Sequence, residues 1–265
     1  MRVSADAGPV APSLLRPRSA PQLFDAIFQV ARAHAWDLFV LGLMFHAPVH
    51  VFRLIGAFTS PDSLIHRWLP EPNVGVLWWL TWNSLAVTAC AVAATQVYRD
   101  GTTSVPRALA AMRAGGWRLL GAVAAFELMV DGPWTLASDV WPELAWAFLF
   151  LATLPWCAPA IPASIVESVA PWTAIRRAIA LVRGNFWRVA ICIWIVWAVT
   201  WFADNELVSI VATFVRKPAV PGVTDFAVDG ALYALRGVAI AVVYFDCRVR
   251  SEGYDVQRLL EITPA

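Results

Sequence analysis

The sequence predicts an all-α protein: a polytopic membrane helix bundle of six transmembrane helices, built as three two-span repeats, each preceded by an amphipathic interfacial helix. Three observations predict it. The 265 residues are 59% hydrophobic and only 15% charged, where a soluble domain carries roughly 25% charged residues, and the mean hydropathy is +0.62. Apolar stretches of membrane-crossing length recur along the chain. The arginines collect in alternate connecting segments.

A hydrocarbon core about 30 Å thick is crossed by roughly 20 helical residues. Stretches near 37–58, 74–97, 117–137, 141–163, 187–204 and 226–245 meet that length, the third interrupted by Glu127 and Asp131. Basic residues lie before the first span (Arg2, Arg16, Arg18, Arg32), between the second and third (Arg99, Arg107, Arg113, Arg118), between the fourth and fifth (Arg176, Arg177, Arg183, Arg188) and after the sixth (Arg248, Arg250, Arg258). The opposite segments hold Arg67, Arg216 and Lys217 among many acids, including Asp204, Asp225 and Asp229. By the positive-inside rule both termini are cytoplasmic. One lysine against nineteen arginines fits the codon usage of a GC-rich bacterium, so the expected location is a bacterial cytoplasmic (inner) membrane.

Repetition refines this organisation. "APQLFDAIFQVARAHAWDLFVLGLM" (20–44), "VPRALAAMRAGGWRLLGAVAAF" (105–126) and "APWTAIRRAIALVRGNFWRVAICIWI" (170–195) share a Pro near the start, a short amphipathic segment, and Arg-x-x-x-Trp leading into a span. Proline suits a first helical turn, where its missing N–H is no loss. The pairs Arg32 and Trp36, Arg113 and Trp117, Arg183 and Trp187 are read as membrane-surface anchors, Arg and Trp stacking four apart on one helix face at the depth of anionic phosphates and the aromatic belt. In the third copy Ala174, Ile175, Ala178, Ile179 and Val182 recur at helical spacing, an apolar face expected to lie on lipid. The expected organisation is a flexible cytoplasmic N-terminus (1–19), a six-helix membrane domain (20–250) with repeats of about 20–98, 105–163 and 170–250, and a cytoplasmic tail (251–265).

"LLRPRSAPQLFDAIFQVARAHAWDLFVL", "APWTAIRRAIALVRGNFWRVAI" and "VVYFDCRVRSEGYDVQRL" resemble a large bacterial family of six-helix membrane proteins named for the membrane domain of glycerophosphoryl diester phosphodiesterase, with neighbouring uncharacterised families. The resemblance covers nearly the whole chain, and "YFDCRVRSEGYD" (244–255) is its most specific part. It implies a membrane architecture. The hydrolase that gives the family its name has a separate soluble barrel with His-Arg and Glu-Asp catalytic pairs and a divalent metal, and nothing in this sequence matches those.

Charges within spans are expensive and mark functional candidates. Glu127 lies ten residues beyond Trp117, and Arg236 ten before Asp246; at 1.5 Å per residue each sits about 15 Å deep, so they form a candidate midplane pair, either a structural clamp or a polar point on a substrate or proton path. His46, His50 and Arg53 share one face of span one. His-x-x-x-His is a metal spacing, but Pro48 stands between the two and is expected to kink the helix, exposing carbonyls that His or Arg can satisfy. No second ligand pair is legible, so neither a metal nor another cofactor is expected. Trp187, Trp194 and Trp201 recur every seven residues with Trp197 beside them, an aromatic stripe toward lipid or a neighbouring helix. Ser84, Thr88, Ala91 and Thr95 form a small-residue edge suited to close helix contact. Leu207 to Val215 suggest a separate short helix on the outer surface, ended by Pro218.

The four cysteines lie within or just after apolar runs, without zinc spacing, as small buried hydrophobes. The first twenty residues lack the apolar core of a signal peptide. A net charge of +1 gives no field for nucleic acid. No hydrolase, P-loop, metalloprotease or nicotinamide motif occurs, so no catalytic residue is assigned and an enzyme is the weaker class. The function expected is a lipid-interacting or scaffolding membrane module, its partners membrane lipids with anionic headgroups at the cytoplasmic face and, compatibly, a membrane or cytoplasmic protein. The alternative is a transporter or lipid-handling protein using Glu127 and Arg236.

Overall fold

A computed structural model describes residues 16–58, 72–130, 152–214 and 219–254, and within these every regular element is helical. The helices are α1 (Ala20–Ala33), α2 (Ala35–Phe58), α3 (Pro72–Asp100), α4 (Val105–Val130), α5 (Ala160–Val166), α6 (Pro171–Arg183), α7 (Phe186–Phe214) and α8 (Ala219–Glu252). Segments Phe186–Ile210 and Val223–Glu252 are long and apolar enough to cross a membrane by length and composition.

The centre of the bundle is α8, which packs on α3, α2, α7 and α1. Small residues set how closely it packs. A Cβ added at Gly237 of α8 would come within 2.6 Å of Cys90 Cβ and 2.7 Å of the Ala91 amide on α3, and one added at Gly230 would meet the Leu43 side chain of α2. Ser84, Thr88, Ala91 and Thr95, the small-residue edge, are buried, and Ala91 lies at this contact. Such close approach lets backbone and side chains of neighbouring helices make dispersion contacts that bulkier residues would prevent.

Each Arg-x-x-x-Trp segment contains a break in the helix. His34 (φ −122°, ψ 28°) separates α1 from α2, and Gly184 caps α6 two residues before α7 begins. Inside α4, Gly116 takes φ 48° and ψ −132°, a conformation that favours glycine. The Arg and the Trp therefore lie on different helical segments. All six side chains are exposed, but no Arg stacks on its expected Trp, because the i, i+4 geometry needs an unbroken turn between them.

The amphipathic helices also differ from expectation. In α1, Leu23, Ala26, Ile27 and Val30 are buried, and in α6 so are Ala174, Ile175, Ala178, Leu181 and Val182. These apolar faces dock on the protein, not on lipid, while Arg32, Arg176 and Arg183 face outward. An apolar face is satisfied by either environment, and here α8, α5 and the span ends supply it. At the start of α1, the Gln22 carboxamide accepts the Ser19 amide N–H at 2.9 Å, satisfying a donor that the helix leaves open.

Two further expectations change. Instead of a separate outer helix, Leu207 to Phe214 continue α7. Ala158 and Pro159 form a turn between a helical segment at 152–157 and α5, so the described part of span four is not one continuous helix. Pro48 lies inside α2, which runs on to Phe58. The rest of span four and the end of span three, 131–151, lie outside the described residues. All four cysteines are buried and free.

Candidate functional site

Where α2 crosses α8, the backbones meet at Gly42 and Gly230: a Cβ on Gly42 would collide with the Gly230 carbonyl. One helical turn along α2 from Gly42 stands His46, and another turn on, His50; next to Gly230 stands Asp229. The crossing thus aims three ionisable side chains at one another inside an apolar interface.

His46 is fully buried and its Nε2 lies 2.7 Å from Asp229 Oδ2. His50 Nε2 lies 3.2 Å from the same oxygen, and His50 Nδ1 is 3.8 Å from Asp225 Oδ2. The two imidazoles contact each other edge to face with centroids 4.6 Å apart, and each is held by an aromatic ring of α8, Tyr233 against His46 at 4.9 Å and Phe226 against His50 at 5.0 Å. Ligand atoms of His46, His50 and Asp229 all lie within 4.8 Å of one another, and those of Asp204, Asp225 and Asp229 do likewise. Both sets are spaced to hold a metal ion. Arg53, expected on the same polar face, has its side chain outside the described residues.

Two turns further along α8, Arg236 faces α7. Its Nε donates to Thr200 Oγ1 at 2.8 Å, and its guanidinium lies 5.6 Å from the Trp197 ring centre and 5.4 Å from that of Tyr233. The ion pair expected with Glu127 is not formed. Glu127 is half-buried on α4, which packs on α3, α5 and α6, while α8 lies beyond α3. Counting residues from the expected span ends paired two charges that lie on helices separated by α3.

The opposite end of α8 carries the most specific sequence stretch, and nearly every polar residue in it has a structural partner. Asp246, 2% exposed, accepts the Arg18 backbone N–H at 2.9 Å and meets Arg250 Nε at 3.2 Å and Arg188 Nε at 3.3 Å. Arg250 also donates to the Arg18 carbonyl at 2.7 Å. The end of the segment expected to be flexible is therefore docked: Arg18 is 4% exposed. Beside this cluster, Glu167 receives Arg177 Nε at 2.8 Å and the Tyr244 hydroxyl at 2.9 Å, and Glu252 receives Arg248 Nε at 3.0 Å and a second Arg177 nitrogen. Arg248 lies over the Tyr254 ring at 4.0 Å. Burial works against the Arg177 charge, but hydrogen bonds and charge from Glu167 and Glu252 outweigh it and raise the guanidinium above its ordinary pKa.

A shallow groove of about 280 Å³ opens between α4, the 152–157 segment and α6, lined by Met129, Thr153, Trp156, Cys157, Ile179 and Arg183. Its walls are almost wholly apolar, and Arg183, one of the expected anchors, is the charged residue on it. The other anchor tryptophans project from the surface, Trp36 at 73%, Trp117 at 68% and Trp187 at 70% exposed. In the aromatic stripe of α7, Trp201 is exposed like Trp187, whereas Trp197 turns inward to Arg236.

Set against known proteins, the chain matches no family model, no curated protein and no solved structure.

Sequence reasoning counted Asp225 and Asp229 only among the acids of the outer loop and the adjoining end of span six, and so missed them as partners of the histidines. Their spacing, Asp225 four before Asp229 and Asp229 seven before Arg236, was the available signal, since it puts all three on one helical face. Glu167 and Asp246 were missed because, apart from Arg250 four residues beyond Asp246, their partners come from other segments of the chain.

Proposed function

We propose that the chain is a multi-pass bacterial inner-membrane protein, both termini cytoplasmic, that binds an anionic phospholipid at its cytoplasmic face. The observation that carries this reading is the apolar groove with the exposed Arg183 on its wall. An acyl chain buried there gains about 0.8 kcal/mol per methylene withdrawn from water, and a guanidinium offers two parallel donors to a phosphate. The exposed Trp36, Trp117, Trp172 and Trp187 support the reading, since indole rings favour the headgroup level. The arrangement of six spans as three two-span units is supported by the helix breaks at His34, Gly116 and Gly184, each falling between the Arg and the Trp of one copy. The family resemblance of the "YFDCRVRSEGYD" stretch implies the same architecture.

Mild extraction followed by mass spectrometry of retained lipid tests the proposal. Phosphatidylglycerol or cardiolipin should stay with the purified chain, and both Arg183→Gln and Ile179→Trp, which fills the groove, should release it. Retention of zwitterionic lipid alone, or equal retention by both variants, contradicts the reading.

Transport through the polar interior is the second reading, favoured by one observation, the placement of Arg236, His46, His50 and Asp229 inside the bundle. Against it stands the close α3–α8 approach, where a Cβ added at Gly237 would meet Cys90, Val87 and Ala91.

A further inference from the structure

We propose that His46, His50 and Asp229 form a binding site for a divalent transition-metal ion of the zinc class at the α2–α8 crossing. The donor set argues for it first. Two imidazoles and one carboxylate suit borderline metals such as Zn²⁺, whereas Mg²⁺ and Ca²⁺ prefer oxygen ligands throughout.

The distances argue next. With metal–ligand bonds of about 2.0–2.2 Å, neighbouring donor atoms of a tetrahedral or octahedral site stand about 3 Å apart. The two His Nε2 atoms lie 2.7 and 3.2 Å from one Asp229 oxygen. The His46 contact is close enough for a hydrogen bond, yet neither nitrogen of His46 makes one among the described residues. A buried imidazole nitrogen left without a hydrogen bond is destabilising. A cation held between His46 Nε2 and Asp229 Oδ2 would take one lone pair from each, in place of a hydrogen bond between them.

Charge and rigidity complete the case. Asp204, Asp225 and Asp229 bring carboxylate oxygens within 4.8 Å of one another, and a divalent cation offsets their repulsion in the apolar bundle. Asp225 stands 3.8 Å from His50 Nδ1, on the far side of the ring from Asp229. That is the side on which carboxylates orient metal-bound histidines, although the separation is longer than a hydrogen bond. The Gly42–Gly230 approach and the packing of Tyr233 and Phe226 hold the ligands on two helices whose backbones cannot move apart without losing that contact. The ion joins α2 to α8, and α2 alone, with its His-x-x-x-His, supplies only half of the site.

The experiment uses the full-length chain in detergent, stripped with a chelator, dialysed against Zn²⁺ and assayed for bound metal by elemental mass spectrometry. The expected result is one zinc per chain. His50→Ala and Asp229→Asn should each weaken binding by more than about 100-fold, beyond the 10- to 100-fold loss typical of an outer-shell partner. His50 sits at the edge of the cluster, so His50→Gln serves as a second variant should either of these fail to remain monodisperse. Co²⁺ in place of zinc should give the visible absorption of a low-coordinate nitrogen and oxygen site in the wild type. No zinc retained by the wild type, full retention by the variants, or a Co²⁺ spectrum with thiolate bands would each overturn the proposal. Lipid retention at the Arg183 groove is read separately, so failure of one assignment leaves the other intact.

Discussion

The carboxylate of Asp246 on α8 accepts the backbone N–H of Arg18, 228 residues earlier in the chain, at 2.9 Å. That bond joins the start of the described chain to the end of its last helix, and Arg188 and Arg250 close on the same carboxylate. Asp246→Ala should therefore lower stability by about 1–3 kcal/mol, because it leaves the buried Arg18 N–H without its acceptor and removes the counter-charge of the partly exposed Arg188 and Arg250. Asp246→Asn, which keeps an oxygen for the Arg18 amide, should lose less. Thermal unfolding in a fixed detergent compares the two, and equal losses would argue against the charge contribution.

Helix docking predicts a contrast between two residues of neighbouring helices. Ile175, fully buried on α6, should cost about 2–5 kcal/mol when changed to Ala, whereas Trp187→Ala, on a side chain 70% exposed, should change stability in detergent by about 0.5 kcal/mol or less. If α6 lay on lipid as its sequence pattern suggested, the Ile175 change would be as mild as the Trp187 change.

At the α2–α8 crossing, Gly230→Ala introduces a methyl group where Leu43 already stands. Overpacking of this kind costs about 1–3 kcal/mol. Because Asp229 is the adjacent residue, the same substitution should reduce zinc binding, while Gly184→Ala, with open space around the added carbon, should change neither stability nor metal content. Melting temperature and bound zinc are read from one preparation.

A double-mutant cycle resolves the midplane charges. Arg236→Gln combined with Thr200→Val should show a coupling above about 0.5 kcal/mol, while Arg236→Gln with Glu127→Gln should be additive within that margin. A substantial Glu127–Arg236 coupling would contradict the helix arrangement described here.

Much of this was legible from residue order. Helical periodicity and the alternation of Pro, amphipathic segment, Arg and Trp located α1, α6 and their outward arginines, and of the small-residue edge on α3, Ala91 lies where Gly237 of α8 packs. Amphipathicity announced that α1 and α6 have an apolar face. It did not say whether hydrocarbon or protein covers that face, since both remove it from water.

The sequence by itself determined the position of each group along its own helix, because a fixed rise per residue converts numbering into depth. It placed His46 and His50 on one face, and Glu127 level with Arg236. Only the tertiary structure decided which helices are neighbours: α8 took the centre, brought Asp229 to the histidines and Asp246 to Arg18, and turned Arg236 toward Thr200. Azimuth around a bundle depends on which small-residue surfaces fit closest, at Gly42 with Gly230 and Gly237 with Ala91, and that fit is a property of pairs of helices, which no single helix encodes.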